Sequence, residues 1–164
     1  MIVLGIDPGT YQSGWVKLFV GCGSVRVEGC GVAPNDDILD LVAGDDIQRL
    51  AIEMIASYGM PVGAEVFRTC VWIGRFVQRY GAITADDVKL IARILVKSHL
   101  CLSSKATDAN VRQALIDRFG GSSAIGKKQE PGPLYRVKSH AWPALAVALT
   151  AYEQFWTAPP GTTP

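Results

Sequence analysis

The feature that most constrains this chain is its beginning, Met1-Ile2-Val3-Leu4-Gly5-Ile6-Asp7-Pro8-Gly9-Thr10. A run of β-forming residues ends abruptly in an acid, and Pro8-Gly9 then breaks the backbone. The pattern predicts a buried strand that delivers one carboxylate to a turn at the edge of a sheet. A carboxylate in that position is costly unless it is paired, hydrogen-bonded or metal-bound. Asp7 is compatible with a metal site, a phosphate-handling turn or simple capping, and its partners decide among them.

A second run, Arg49 to Ile55, repeats the pattern with Glu53 as its one acid. Two carboxylates on adjacent buried strands, with no base inside either apolar run, favour a divalent cation. A hard ion such as Mg²⁺ takes oxygen ligands and keeps several waters. The alternative is that both acids cap backbone groups at strand ends. The third candidate is His140, at the start of the last predicted helix, where backbone N–H groups suit phosphate oxygens. Taken alone, a histidine there is as readily a capping or surface residue.

Ile2 to Ile6, Ser13 to Val20 and Ser24 to Val32 read as three strands, with Gly21-Cys22-Gly23 as a hairpin turn. A short helix follows from Asp36 to Val42, then the Glu53 strand. Gly63 to Tyr80 has helical spacing, with Phe67, Cys70, Val71, Gly74 and Val77 expected on the buried face and Gly81 as cap. Val88 to Ala92 reads as a strand that leads into a short helix. Thr107 caps a helix from Asp108 to Phe119. Residues 120–138 form a basic, Gly/Pro-rich connection, long enough to be functional or mobile. A final helix spans His140 to Trp156. The fold class is therefore α/β: a mixed sheet, three leading antiparallel strands and then parallel strands, flanked by helices.

The 164 residues suit one domain, expected over 1–156, with a flexible tail over 157–164. Hydrophobic residues make up 49% and charged residues 19%, a globular balance. No apolar run approaches the ~20 residues needed to span a bilayer. The N-terminus lacks the regions of a signal peptide, so a cytoplasmic protein is expected. Cys22, Cys30, Cys70 and Cys101 have no zinc-ligand spacing and are expected as reduced thiols, Cys70 in the core. The net charge of +1 conceals an asymmetry: residues 1–65 carry three bases against nine acids, and residues 66–164 thirteen bases against six acids. Such a basic half suits a polyanion, and equally a set of solvated helix faces.

Gly5-Ile6-Asp7-Pro8-Gly9-Thr10, Leu50-Ala51-Ile52-Glu53 and the helix His140-Ala-Trp-Pro-Ala-Leu-Ala-Val-Ala-Leu149, taken in order, resemble the RuvC-type Holliday junction resolvases, above all those carried by bacteriophages. The resemblance runs from residue 1 to about 155. It implies a ribonuclease H-like fold and a homodimer that cuts four-way DNA junctions with Mg²⁺ or Mn²⁺ through two metal ions, in the host cytoplasm if phage-encoded. It places the family's first-strand Asp on Asp7, its central Glu on Glu53, and the two acids that open its last helix on His140 and Pro143. Some members carry His at the first of these, which keeps His140 as a ligand. Pro143 cannot ligate metal, although it fits a helix start. Asp108 is an alternative carboxylate, or it complements the dipole of its own helix. The resemblance also places phosphate contacts near Lys97, Lys105 and Arg112, while Lys127 and Lys128 decorate the long basic connection. Tyr58 is expected to pack within its loop, with stacking on an unpaired base as the alternative. Trp72 and Phe76 are candidates for the dimer interface.

Three functions follow in order. The first is a metal-dependent, structure-specific DNA endonuclease. The second is a junction-binding protein with weak or lost cleavage, kept open by Pro143. The third is a phosphate-handling enzyme of the actin-like group, which shares the Asp-x-Gly-Thr turn; it is disfavoured because those proteins need two such domains.

Overall fold

The computed structural model describes residues 1–21, 23–56, 59, 61–81, 84 and 86–157. The expectations for Cys22, Tyr58 and the tail beyond residue 157 fall outside these. Five strands, β1 (Ile2–Asp7), β2 (Gln12–Gly21), β3 (Ser24–Pro34), β4 (Arg49–Met54) and β5 (Val88–Ala92), make one sheet in the order β3-β2-β1-β4-β5. β1, β2 and β3 pair antiparallel, whereas β4 joins β1, and β5 joins β4, in parallel. This is the mixed sheet expected. The helices are α1 (Asn35–Val42), α2 (Ala64–Tyr80), α3 (Arg93–Cys101), α4 (Asp108–Arg118) and α5 (Ala141–Ala151).

Strand alternation sorts the core into two layers. Leu4, Ile6, Leu50 and Ile52 face Ile38 and Val42 of α1 and Ile73 and Phe76 of α2. Val3, Ala51 and Ile91 face the other way, onto α3, α4 and α5. The apolar helix α5 is buried from Ala144 to Ala151 and lies directly on the sheet. Gly5 allows this approach, since a Cβ there would fall 2.3 Å from the Ala144 carbonyl oxygen and 2.7 Å from the Ala148 Cβ.

Helix α2 corrects the expected buried face. Thr69, Ile73 and Phe76 are buried, while Phe67 and Val71 are 61% and 62% exposed, Gly74 is exposed and Cys70 is only half-buried. The helix carries two apolar stripes, and the one that meets β4 and α1 is the 69/73/76 stripe. Phe76 is therefore core and not an interface residue. Trp72 stacks on it at 5.9 Å and is covered by Arg75, whose guanidinium carbon lies 4.0 Å from the Trp72 ring centroid.

The long connection after α4 is anchored to the core at both ends, with an exposed turn between. Ala124, Leu134 and Val137 are buried, and Gly126 bridges Pro131 in a tight loop. The final helix stops being α-helical at Ala151, and its last turn, Tyr152–Trp156, widens to a π-helix. Side chains tie that turn to its surroundings: Glu153 meets His99 and Arg118, and Trp156 Nε1 donates to the Asp86 carbonyl at 2.8 Å.

Candidate active site

Asp7 ends β1 on the face that carries Gly5, and Glu53 lies on the matching face of β4, beyond Ala51. Ile6 and Ile52 are register partners across the parallel pair, so the two acids come next to each other at the carboxyl ends of central strands. Both side chains are 18% exposed. Ligands in open α/β sheets gather at this end of the strands.

The turn after Asp7 is clamped by two buried polar residues. Gly9 N–H donates to Ser13 Oγ at 3.2 Å, Ser13 Oγ donates to Asn35 Oδ1 at 2.6 Å, and Asn35 Nδ2 returns to the Gly9 carbonyl at 2.9 Å. Each of Ser13 and Asn35 is 1% exposed, so this closed ring fixes where β1 delivers its acid.

His140 caps α5, and its Nδ1 lies 2.9 Å from Asp7 Oδ2. Gly14 makes that contact possible. It pairs with Asp7 across β1 and β2, and a Cβ there would lie 2.1 Å from the His140 carbonyl oxygen. Ser139, just before, holds a left-handed φ of 46°, an uncommon conformation for a non-glycine residue. Pro143, in the first turn of α5, lines the same cleft and brings no donor group.

Arg93, at the junction of β5 and α3, brings a base to Glu53 from outside both apolar runs. Its Nη1 lies 2.9 Å from Glu53 Oε2, and its Nη2 lies 2.5 Å from Asp108 Oδ1. Asp108 thus belongs to the site. As the first residue of α4 it also suits the helix dipole, and Thr107 and Asn110 form the capping box beside it.

These groups line a cleft of about 680 Å³ that also includes Arg112. Burial pushes the Asp7 carboxyl above the usual carboxylate range, with the His140 hydrogen bond acting against it. Burial likewise raises Glu53, opposed by the charge of Arg93 and reinforced by that of Asp7. The Arg93 hydrogen bond holds the exposed Asp108 carboxyl below its ordinary value. Arg93 loses some preference for its charge through burial, but its bonds to Asp108 and Glu53 more than restore it. Two desolvated carboxylates side by side, only one of them paired with a permanent cation, favour further positive charge beside Asp7.

Among the described residues, no three His, Cys, Asp or Glu side chains are grouped as a ready metal cage. Asp7, Glu53 and His140 nevertheless have suitable chemistry for one divalent ion: two half-desolvated carboxylates and an imidazole whose Nε2 is not used toward Asp7. Glu53 would share its carboxylate with Arg93.

The basic residues divide. Arg112 lines the cleft, its guanidinium carbon 5.0 Å from the centroid of Trp142. Lys97, half-buried on α3, is close enough to help lower Asp108. Lys105 lies in a separate concavity with Asn110 and Asp117. Lys127 and Lys128 sit exposed on a turn closed by mutual backbone bonds between Lys127 and Glu130, outside the cleft lining.

Sequence reasoning overlooked Arg93, Gly14, Ser13 and Asn35. The only available signal for Arg93 was a base one residue past a predicted strand. The other three looked like ordinary strand and turn residues.

The structure matches Thermus thermophilus RuvC with a TM-score of 0.66 at 21% identity, covering 94% of this chain and 96% of that one. The chain has a RuvC-like, ribonuclease H-like fold. T. thermophilus RuvC in complex with a Holliday junction substrate matches with a TM-score of 0.64 at 21% identity, over 92% of each chain. Fowlpox virus resolvase, in complex with its substrate Holliday junction DNA, matches with a TM-score of 0.54 at 12% identity, over 96% of this chain and 100% of that one. No protein-family model matches the sequence, and no curated protein matches it. No helix among the described residues is long and apolar enough to cross a membrane.

Proposed function

We propose that this protein is a divalent-metal-dependent nuclease that nicks four-way or branched DNA junctions by phosphodiester hydrolysis. The observation that carries the reading is the pairing of Asp7 and Glu53 at the carboxyl ends of β1 and β4, facing His140, within a fold otherwise seen in junction resolvases. When bound, a divalent ion, Mg²⁺ or Mn²⁺, would supply an activated water and offset charge developing on the phosphate. Asp7 and Glu53 would hold the ion, and the clamp of Ser13 and Asn35 fixes the turn that delivers Asp7. His140 Nδ1 holds the Asp7 carboxylate at Oδ2, and Nε2, not used toward Asp7, would be the nitrogen left for an ion. Arg112, on the cleft wall, meets the DNA backbone, with Lys97 adding positive potential behind it. Lys105, Lys127 and Lys128 meet more distant phosphates and contribute salt-dependent binding.

Symmetric nicking of a junction needs two such clefts, and we assign the second to another copy of this chain. The exposed Phe67 and Val71 on α2, with Val62 at 43% exposure, are the apolar surface for that contact. A Val71→Asp variant is expected to sediment as a monomer and to lose paired nicking. Its thermal stability should stay within about 0.5 kcal/mol of the parent, as for most surface changes. An unchanged sedimentation coefficient would place the interface elsewhere.

The test of the main reading compares the protein with Asp7→Asn on a labelled four-way junction and on linear duplex, with Mg²⁺ or Mn²⁺. Symmetric nicks confined to the junction and absent in the variant support it. A second reading, junction binding without cleavage, is favoured by Pro143 and by the hold of Arg93 on Glu53. Tight junction binding with no nicks in either metal would establish that reading instead. ATP turnover without DNA would point to the actin-like alternative.

A further inference from the structure

We infer that Arg93 is a built-in cation that takes the place of one of two divalent ions, so that the cleft loads a single ion per chain. The inference rests on the metal-nuclease reading above. Two-metal phosphoryl-transfer sites hold their ions ~3.5–4 Å apart and need donors on the outer side of each. On the Asp7 side the donors exist: Asp7, the free oxygen of Glu53, and His140. On the far side they are committed. Glu53 Oε2 and Asp108 Oδ1 both accept from the same guanidinium, at 2.9 and 2.5 Å. Pro143, which lines that cleft, has no donor to offer. A guanidinium in contact with both carboxylates repels a dication from the space between them.

Arg93 also has the form needed for the vacated task. A guanidinium presents five N–H groups in a fixed plane, and the two bonds to Glu53 and Asp108 engage one on each terminal nitrogen. The remaining N–H groups are free of those two carboxylates. A phosphate oxygen reaching the cleft can meet them without displacing either acid. The Arg93 side chain is 22% exposed, so it keeps its charge at a partly desolvated position where such contacts are strengthened. Asp108 acts as a positioning residue: it holds the second fork of Arg93 so that the guanidinium stays beside Glu53.

The test counts bound ions and does not depend on turnover. Mn²⁺ binding is measured by calorimetry and electron paramagnetic resonance on the full chain, alone and frozen immediately after mixing with a four-way junction. One Mn²⁺ per chain with an uncoupled spectrum in both samples is expected. Arg93→Met should admit a second Mn²⁺, or bind the first at least about 10-fold more tightly, while losing nicking. Arg93→Lys should keep one ion. Two spin-coupled ions per chain in the unmodified protein would overturn the inference and leave the nuclease reading intact. No Mn²⁺ binding in any sample would overturn both. An Arg93→Met protein that folds, by circular dichroism, and still binds one ion with unchanged affinity would also overturn it.

Discussion

Asp7 and Glu53 end neighbouring strands of one sheet, are equally exposed and are raised by the same burial, yet they are treated differently by the fold. Asp7 is paired with an imidazole that is itself 63% exposed. Glu53 is paired with an arginine that cannot lose its charge in any accessible pH range. The difference shows how a fold can divide two like acids into unlike roles. One is left short of positive charge and open to an incoming ion, and the other is already half-neutralised.

The largest effects should come from the acids. Asp7→Asn is expected to reduce nicking by more than about 100-fold, because even outer-sphere partners of a metal ligand are worth 10–100-fold. Glu53→Gln should also reduce it, and should loosen Arg93 as well. Junction cleavage assays on both variants test this, and if Glu53→Gln alone proves silent then Arg93, not a metal, is what Glu53 serves. His140→Ala should cost about 10–100-fold and remove a preference for Mn²⁺ over Mg²⁺, since imidazole suits Mn²⁺ better. Equal rates with the two metals in the unmodified protein would count against His140 as a ligand.

Gly14→Ala attacks only the Asp7 side. Its Cβ would fall 2.1 Å from a backbone oxygen of His140, so the start of α5 must move. A loss of about 1–3 kcal/mol in denaturant unfolding is expected, with a fall in nicking. Full activity would show that the His140 contact is dispensable.

The smallest effect is on the pH dependence of stability. Both carboxyls titrate higher in the folded chain than in the unfolded chain, so folding favours their protonated forms. Their contribution is fully present below the ordinary carboxylate range and is lost as pH rises through the raised folded values. Asp7→Asn removes its share of that loss. The apo variant should melt above the parent at neutral pH, and the gap should close on acidification through the carboxylate range. A gap independent of pH would mean that burial of the Asp7 charge is not its cause.

Much of the fold was legible in the sequence because strand period, turn residues and caps are local signals. β1, β4, α1 and α4 appeared close to where the structure puts them, since Asp7-Pro8-Gly9 and the Thr107 cap act over a few residues. The buried face of α2 was not legible, because Phe67/Val71 and Ile73/Phe76 are both apolar stripes with helical spacing and only the sheet selects between them. The anchoring of residues 120–138 was hidden for a similar reason: Ala124, Leu134 and Val137 are spaced by no period and are buried by contacts to distant elements.

The sequence by itself determined that Asp7 and Glu53 would end buried strands, and that a histidine rather than an acid would open the last helix. Those are consequences of local backbone preference and side-chain chemistry. Only the tertiary structure decided what each acid meets. Arg93 lies 40 residues from Glu53, and His140 lies 133 residues from Asp7. Their meeting depends on sheet order, strand register and the missing side chain at Gly14, and none of these is written in a local pattern.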